Sequence, residues 1–276
     1  MIKKVFYHLT EGARCTMDIA LLKKEWPTIK NRIPSGNGAP VLVLPGFLSN
    51  DLPTKYMRKL IDEKGYKSYG WEAGINLGMT DEIAAHVPGL LKRIFDENGG
   101  RKVILVGHSL GGVFARELAR EYPEMIDKVI TFGSPFGAYH DEIPPLLLNA
   151  FKKLHPKADT TLVNGEGMRS RRLTPPPVPT TSIYSETDGV VPWRTCINPQ
   201  AVKAENIQIT SSHIGMIYHP LALIALFDRM AQPSDQWQPF KANDYSNKYK
   251  SGPPLSDIPS NPQWKAKKPA LRIFKK

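Results

Sequence analysis

Short apolar runs alternate with amphipathic segments along most of the chain. Three runs, 41–44, 103–106 and 128–132, have strand length and are mostly apolar, which is typical of parallel strands covered on both faces. Two partly polar segments, 181–184 and 206–209, are expected to continue the sheet, and a shorter strand is expected near 67–69. Apolar residues at helical spacing predict helices between them. These helical segments are 55–64, 80–98, 113–122 and 216–230. The alternation predicts an α/β fold with a mostly parallel, doubly wound sheet flanked by helices.

The rhythm of strands and helices breaks in the middle of the chain. Residues 136–179 hold a helix-like apolar pattern and then the proline-rich run 174–179, which predicts an inserted helical cap. We therefore expect an α/β domain over 36–232. A basic segment, 1–35, precedes it, and a basic, proline-rich arm, 233–276, follows it.

The net charge of +11 belongs mainly to the two ends of the chain. Residues 1–35 hold seven Lys and Arg against three Asp and Glu, and residues 231–276 hold nine against three. The remainder is nearly balanced, so no specific nucleic-acid partner is expected. The charge favours solvated ends, with weak attachment to an anionic membrane as the alternative.

The apolar runs and the cysteines bear on the environment of the protein. No run approaches the roughly 20 apolar residues of a membrane span, and the N-terminal apolar stretch is too short for a secretion signal. We therefore expect a cytoplasmic protein. Cys15 and Cys196 are expected to be ordinary thiols, and they cannot form a metal site by themselves. No cofactor or metal is expected.

One motif indicates nucleophilic catalysis. Residues 107–111, Gly-His-Ser-Leu-Gly, fit the G-x-S-x-G pattern of a nucleophile elbow. The motif directly follows the strand 103–106 and precedes the helix predicted from Val113. A sharp turn there would lift the Ser109 hydroxyl above the sheet, at a helix end that favours negative charge. The alternative, an idle serine in a glycine-rich turn, is disfavoured by this setting.

A serine nucleophile needs a base to take its proton, and the histidines after the last strand are the candidates. His213 lies in a short polar loop after the strand 206–209, from which a side chain can reach the elbow. His219 lies within the predicted last helix, just before Pro220, where a packing or capping role is favoured. His108 lies on the turn itself and should point away from the serine. We therefore predict His213 as the base.

The base in turn needs an acceptor that fixes its tautomer. The chain order of serine, acid and histidine places this acceptor between the elbow and His213. Two acids, Glu186 and Asp188, follow the strand 181–184. Asp188 is favoured because Gly189 follows it in an apparent tight turn.

Acyl transfer also needs backbone donors for an oxyanion. The N–H of Leu110, directly after the nucleophile, is the first expected donor. The second should come from the loop after the first strand, Pro45-Gly46-Phe47-Leu48, where the N–H of Phe47 is favoured over an ordinary glycine turn.

Taken together, these motifs resemble the α/β-hydrolase superfamily, and within it bacterial serine lipases and esterases, over roughly residues 40–230. The residues that carry the resemblance are 45–47, 107–112, 133–135, 187–192 and 212–213. The resemblance implies a Ser109, Asp188 and His213 triad with a backbone oxyanion hole. The chain departs from many members at Pro45, where they carry a histidine. The segment 70–78 also looks like a family feature, without an assigned role.

The expected function is hydrolysis of a small carboxylic ester, with a lipophilic acyl group favoured, through an acyl-enzyme. An amidase, thioesterase or acyltransferase would use the same triad. A serine at the elbow disfavours the alkyl-enzyme route, which uses an aspartate there. A third hypothesis is a catalytically idle scaffold that binds an anionic surface through its basic ends.

Overall fold

The computed structural model describes residues 2–137 and 171–241, with the isolated residues 149, 153, 154, 245, 250 and 251. Most of the predicted cap lies outside the described residues, together with its two histidines, His140 and His155. Most of the predicted C-terminal arm, including Trp264, also lies outside them.

The described residues form one seven-stranded sheet with helices along the chain between its strands. The strands are β1 (Pro40–Leu44), β2 (Lys67–Tyr69), β3 (Val103–His108), β4 (Ile126–Phe132), β5 (Thr180–Ser185), β6 (Ala204–Ile209) and β7 (Lys250–Ser251). The helices are α1 (Ile2–Leu9), α2 (Glu11–Ile29), α3 (Asp51–Glu63), α4 (Asp81–Glu97), α5 (Leu110–Glu121) and α6 (Pro220–Ala231). The strand order is β2-β1-β3-β4-β5-β6-β7. Only the pairing of β6 with β7 is antiparallel. The predicted α/β class is confirmed.

Apolar side chains fill both faces of the sheet. Val41 and Val43 of β1 point into a cluster with residues of α2, α3 and α6. Leu42 and Leu44 of the same strand point the other way, against α4 and α5. Alternation along a strand sends neighbouring side chains to opposite faces, so a strand covered on both sides has to be apolar throughout. The doubly wound arrangement follows from this covering.

The structure changes the predicted bounds of three helices. α3 begins at Asp51, where the Asn50 side chain accepts a hydrogen bond from the Leu52 N–H. α5 begins directly after Ser109. The last helix does not begin at Met216: a 3₁₀ turn ends at Tyr218, and α6 begins at Pro220 with His219 as its capping residue. Proline is suited to the first helical position, because its missing N–H is not needed there.

The N-terminal residues are only partly solvated, although their charge favoured fully solvated ends. They form α1 and α2, and Leu22, Trp26 and Ile29 of α2 are buried in the cluster that also contains α6 residues. These three positions recur at intervals of four and three, so they form one helical stripe. Net charge does not report such a stripe. The domain boundaries at residues 35 and 232 stay predictions.

Part of the predicted C-terminal arm also lies on the domain. The Phe240 and Tyr245 rings stack 5.7 Å apart and pack against the core. The Tyr245 hydroxyl donates to Asp228 of α6 at 2.6 Å, and the Phe240 N–H donates to Glu205 of β6 at 2.7 Å. Phe240 and Tyr245 therefore hold this part of the arm against the domain.

Within the described ranges, none of the helices combines the length and apolar character that a bilayer-spanning segment needs. Cys15 and Cys196 are both free thiols, as expected. Cys196 is buried, and this burial raises the pKa of its thiol well above the ordinary value. Such a thiol is inert in ordinary conditions.

Candidate active site

Ser109 lies on the turn between β3 and α5 in a strained backbone conformation. Its φ is 51° and its ψ is −121°. Such angles cost a non-glycine residue roughly 1–3 kcal/mol, so the surrounding structure has to enforce them. The Ser109 N–H donates to the Phe132 carbonyl at 2.8 Å, which fixes the turn to the end of β4. The strand, turn and helix predicted around the motif are all present.

The glycines of the motif are required by close backbone approaches. A Cβ atom on Gly107 would lie 2.3 Å from the Gly112 Cα. A Cβ atom on Gly111 would lie 2.2 Å from the Leu44 carbonyl oxygen, at the end of the neighbouring strand. Real Cβ atoms do not come this close to backbone. Glycines are therefore needed at positions 107 and 111, because the turn packs too tightly between β1 and α5 for a Cβ atom.

The structure brings His213 and Asp188 together at the carboxyl ends of β5 and β6. His213 Nδ1 lies 2.6 Å from Asp188 Oδ2, and both side chains are buried. The second carboxylate oxygen, Oδ1, accepts from the N–H groups of Val190 and Val191, both at 2.8 Å. Glu186 is exposed. Of the two predicted acids, Asp188 is therefore the one paired with this histidine.

This pair lies next to the Ser109 turn. Gly133 follows Phe132, the residue that holds the Ser109 amide, and a Cβ atom on Gly133 would lie 3.1 Å from His213 Nδ1 and 3.2 Å from Asp188 Oδ2. The structure describes both Ser109 and His213, and no hydrogen bond joins the Ser109 hydroxyl to the His213 ring. Catalytic hydrogen bonds are often long without substrate and tighten only when it binds.

The electrostatics of the two adjacent histidines differ. Burial alone would lower the pKa of His213, but the Asp188 carboxylate, by charge and hydrogen bond, and the Glu11 carboxylate oppose it, and the net shift is upward. Burial and the nearby His213 lower the pKa of His108 to about 3. His108 is therefore neutral in ordinary conditions, whereas His213 can take up a proton near neutral pH.

His108 contacts the backbone of the other histidine. Its Nε2 lies 3.0 Å from the His213 carbonyl oxygen, and the two rings are 4.9 Å apart. A carbonyl oxygen can only accept, so Nε2 carries the proton and donates it. The residue between the elbow glycine and Ser109 thus fixes the loop that carries His213, a contact that the sequence did not indicate.

The predicted oxyanion loop turns sharply after β1. Leu48 has a φ of 59°, and its N–H donates to the Asn76 carbonyl at 2.7 Å. Gly46 approaches the elbow so closely that a Cβ atom there would lie 3.1 Å from the Ser109 Cβ. The loop with Phe47 and the N-terminus of α5 with Leu110 therefore meet at Ser109.

Asn76 supports the loop after β1. It lies in the segment 70–78, to which the sequence analysis assigned no role. Its side chain is fully buried; Nδ2 donates to the Pro45 carbonyl at 2.8 Å, and Oδ1 accepts from the Gly78 N–H at 3.0 Å. Its backbone N–H donates to the Ser49 carbonyl at 2.7 Å. An asparagine between glycines at the expected site mouth was the signal that could have identified this brace.

Two buried carboxylates of α2 contact the loop that carries His213, and no sequence pattern indicated either of them. They are Glu11 and Asp18, which are 202 and 194 residues away from their partners in that loop. Contacts over such a separation have no local pattern, so they become visible only in the folded chain.

The comparisons with known proteins agree with this architecture. A family model described as the alpha/beta hydrolase fold matches residues 44–161. Epoxide hydrolase 1 of Caenorhabditis elegans is 30% identical over 89 residues, which are 32% of this chain and 21% of that protein. The AB hydrolase superfamily protein YclE of Bacillus subtilis is 29% identical over 105 residues, 36% of each chain. The chain thus spans between a fifth and about a third of these relatives.

Solved structures share the fold over a larger part of the chain. A monoacylglycerol lipase of Paleococcus ferrophilus has a TM-score of 0.52 at 15% identity, covering 72% of this chain and 97% of the other. The thioesterase domain from the curacin biosynthetic pathway has a TM-score of 0.50 at 16% identity, covering 70% and 92%. With the sheet order and the family match, they define an α/β-hydrolase fold. The chain therefore has the α/β-hydrolase fold, and the family model of that fold spans β2, β3, β4 and the elbow.

Proposed function

We propose that the protein is a serine hydrolase of the lipase and esterase type that cleaves carboxylic esters through an acyl-enzyme at Ser109. The observation that carries the proposal is the buried 2.6 Å contact between His213 Nδ1 and Asp188 Oδ2, beside a strained serine at a helix N-terminus. A buried carboxylate paired with an imidazole beside an elbow serine is the arrangement that acyl transfer requires.

The proposed reaction assigns one role to each group. Asp188 accepts a hydrogen bond from the Nδ1–H of His213, which fixes the tautomer whose Nε2 lone pair can take the proton of the Ser109 hydroxyl. The serine oxygen bonds to the ester carbonyl carbon, and the N–H groups of Leu110 and Phe47 hold the oxyanion. His213 then returns the proton to the leaving alcohol as the C–O bond breaks. Water, activated in the same way, releases the acid and restores Ser109.

The rim of the site supports a lipophilic acyl group. Leu48 follows Phe47 in the oxyanion loop, Ile75 precedes the brace residue Asn76, and Ile214 follows the base; all three apolar side chains are exposed. Apolar side chains around a reactive centre favour substrates that bury apolar surface on binding. We therefore propose a small-molecule ester with a lipophilic acyl chain.

The same triad could serve a thioester, an amide or an acyl acceptor other than water. The name of the Caenorhabditis elegans relative raises a further alternative, opening of an epoxide. That route joins a carboxylate nucleophile to the substrate as an alkyl-enzyme, and the nucleophile position of this chain is Ser109. The serine favours acyl over alkyl chemistry.

A fluorophosphonate probe tests the proposal because it labels only an activated serine. The native protein should be labelled and Ser109→Ala should not, while Ser134→Ala, which changes a buried serine near the elbow, should still be labelled. Esters of increasing acyl length should then show an optimum above the shortest chain. Equal labelling of the native protein and Ser109→Ala would overturn the assignment.

A further inference from the structure

A buried carboxylate at the start of α2 joins the two loops that carry Asp188 and His213. Glu11 is only 6% exposed. Its Oε1 accepts from the Gly189 N–H at 2.8 Å and from the His213 N–H at 3.1 Å, and its Oε2 accepts from the Ile214 N–H at 3.3 Å. One side chain therefore contacts the residue after the acid, the base itself and the residue after the base.

The charge of this carboxylate is balanced by Arg14, one turn later in α2. The Arg14 guanidinium contacts Glu11 Oε1 at 2.8 Å and donates to the Thr187 carbonyl at 2.8 Å and to the Tyr7 carbonyl at 3.0 Å. The acid loop is thus held to the N-terminal helices on both sides of Asp188. A charged group desolvated in this way stabilises the fold only when such partners surround it.

The packing of the loop that carries Asp188 against the N-terminal helices also explains why residue 189 is a glycine. A Cβ atom on Gly189 would lie 2.4 Å from the Tyr7 carbonyl oxygen and 2.7 Å from the His8 nitrogen. The Gly189 carbonyl lies 3.0 Å from His8 Nδ1. Gly189 is therefore needed where the acid loop touches α1, and not only for the turn that the sequence suggested.

We propose that Glu11 is a positioning residue of the triad, which sets the separation and orientation of Asp188 and His213 by bonding to both of their loops. The inference rests on the proposed serine-hydrolase function. The Ser185 and Thr187 hydroxyls, which donate to the Ser211 carbonyl at 2.8 and 3.0 Å, join the two loops before the triad residues. Glu11 joins them again at Gly189, His213 and Ile214, next to the reacting groups, where a misplacement of about 1 Å can cost on the order of a hundredfold in rate.

Asp18 offers a matched control on the same helix. It is buried to a similar degree, 8% exposed, and its Oδ2 accepts from Ser211 Oγ at 2.9 Å, from Ser212 Oγ at 2.9 Å and from the Ser212 N–H at 3.3 Å. It therefore supports the base loop alone. Among the described residues, its hydrogen bonds reach neither the loop that carries Asp188 nor the His213 amide, so a purely structural effect of α2 should appear equally in its variant.

The pH dependence separates the two residues. The charged and titratable groups that face His213 are Asp188, Glu11 and the neutral His108. Glu11 contributes to the upward shift of the His213 pKa, whereas Asp18 is not among its causes. Glu11→Gln should therefore move the acid limb of kcat/KM to lower pH, and Asp18→Asn should leave it in place.

The experiment compares native protein, Glu11→Gln, Glu11→Asp and Asp18→Asn by ester kinetics across pH, with the active fraction counted by fluorophosphonate labelling. Glu11→Gln should lose on the order of tenfold to a hundredfold in kcat with a small change in KM. Glu11→Asp, which keeps the charge but shortens the reach, should lose kcat and keep the native acid limb. Asp18→Asn should lose thermal stability, and its loss of kcat should be much smaller than that of Glu11→Gln.

Two results would overturn the inference. One is native kcat and a native acid limb in Glu11→Gln. The other is an equal loss of kcat in Glu11→Gln and Asp18→Asn with both acid limbs unchanged. If Glu11→Gln does not fold, a native kcat in Glu11→Asp would also overturn the inference. Failure of the native protein to be labelled at all would instead overturn the proposed function, and this outcome is visible before any Glu11 variant is made.

Discussion

Asn76 is a single buried side chain that supports the proposed oxyanion loop after β1. It contacts the loop after β1 through its side-chain Nδ2, its backbone N–H and its carbonyl. Because Leu48 in that loop has a positive φ, its conformation depends on such support. The proposed oxyanion donor, the Phe47 N–H, lies directly before this strained position.

Replacing the brace should therefore impair catalysis more than binding. Asn76→Ala leaves the Pro45 carbonyl without its side-chain donor, and we expect kcat for an ester to fall by roughly tenfold to a hundredfold. Asn50→Ala is the control, because it removes only the cap of α3 and should cost about 1 kcal/mol of stability. Steady-state kinetics of both variants check this. Native kcat in Asn76→Ala would show that the loop keeps its shape without the brace.

The pairing of Asp188 with His213 leads to a prediction about how activity depends on pH. In the proposed mechanism His213 must be neutral, so kcat/KM should fall as the pH drops through a His213 pKa that lies above the ordinary 6.5. Burial lowers this pKa and the Asp188 charge raises it, so Asp188→Asn should move the acid limb to lower pH and reduce kcat on the order of 10³–10⁴-fold. An unshifted acid limb in this variant would contradict the pairing.

The raised pKa of His213 also makes the free energy of unfolding depend on pH. Because the folded-state pKa is raised, protonated His213 stabilises the fold fully below the unfolded value near 6.5, and this contribution is lost as the pH rises through the folded-state pKa. The difference in unfolding free energy between native protein and Asp188→Asn, measured across this range, should therefore become smaller as the pH rises.

At the scale of elements, an ion-pair cluster holds the chain where it returns from the predicted cap. Arg171 contacts Glu117 at 2.9 Å and Glu121 at 2.6 Å, and Glu117 also contacts Arg120 at 2.9 Å. The Glu117 side chain is 1% exposed. A buried carboxylate that loses its partner is strongly destabilising, so this cluster should anchor the returning segment to α5.

Arg171→Ala should accordingly lower the free energy of unfolding by about 3 kcal/mol. Arg93→Ala is the control, since Arg93 and its partner Glu72 are nearly half exposed and their pair should be worth less than about 1 kcal/mol. Chemical denaturation of both variants measures the difference. Similar losses in the two variants would refute the anchor.

Elements with a local signal were predictable, and those without one were not. The strands were clear because a sheet covered on both faces needs continuous apolar runs. α4 was clear because Thr80 and its acidic neighbours begin it, and Thr80 does accept from the Ile83 N–H. α5 begins three residues earlier than predicted because the elbow itself is the helix start. The start of the last helix was misplaced because apolar periodicity continues through the 3₁₀ turn before Pro220.

The site divides in the same way. Ser109, Asp188 and His213 follow strand ends in a recognisable order, so the sequence pointed to each of them. Glu11 carries no such signal, because its role exists only through loops that are far away in the chain.

At the scale of the whole molecule, both ends of the described chain pack on the central sheet. α2 contributes Leu22 and Trp26 to the core, and Phe240 and Tyr245 pack on the same cluster. The basic ends are therefore partly structural. The weak contact with anionic membranes and the cytoplasmic location expected from the sequence stay predictions.

Two truncations test this division of the C-terminal residues. A chain that ends at Ser251 keeps Phe240, Tyr245 and the pairing of β7 with β6, so we expect native ester activity and melting temperature. A chain that ends at Gln232 loses those contacts and should melt several degrees lower, since about 1 kcal/mol shifts the melting temperature by roughly 2–4 °C in a protein of this size. Equal melting temperatures would show that the packed arm adds no stability.

The central claim is that Ser109 forms an acyl-enzyme, and mass spectrometry of a quenched reaction tests it most directly. The native protein, mixed with an activated ester and stopped in acid, should yield one added acyl group on the peptide that contains Ser109. Ser109→Ala should yield none. Acylation elsewhere in the native protein, or a turnover that continues in Ser109→Ala, would contradict the account.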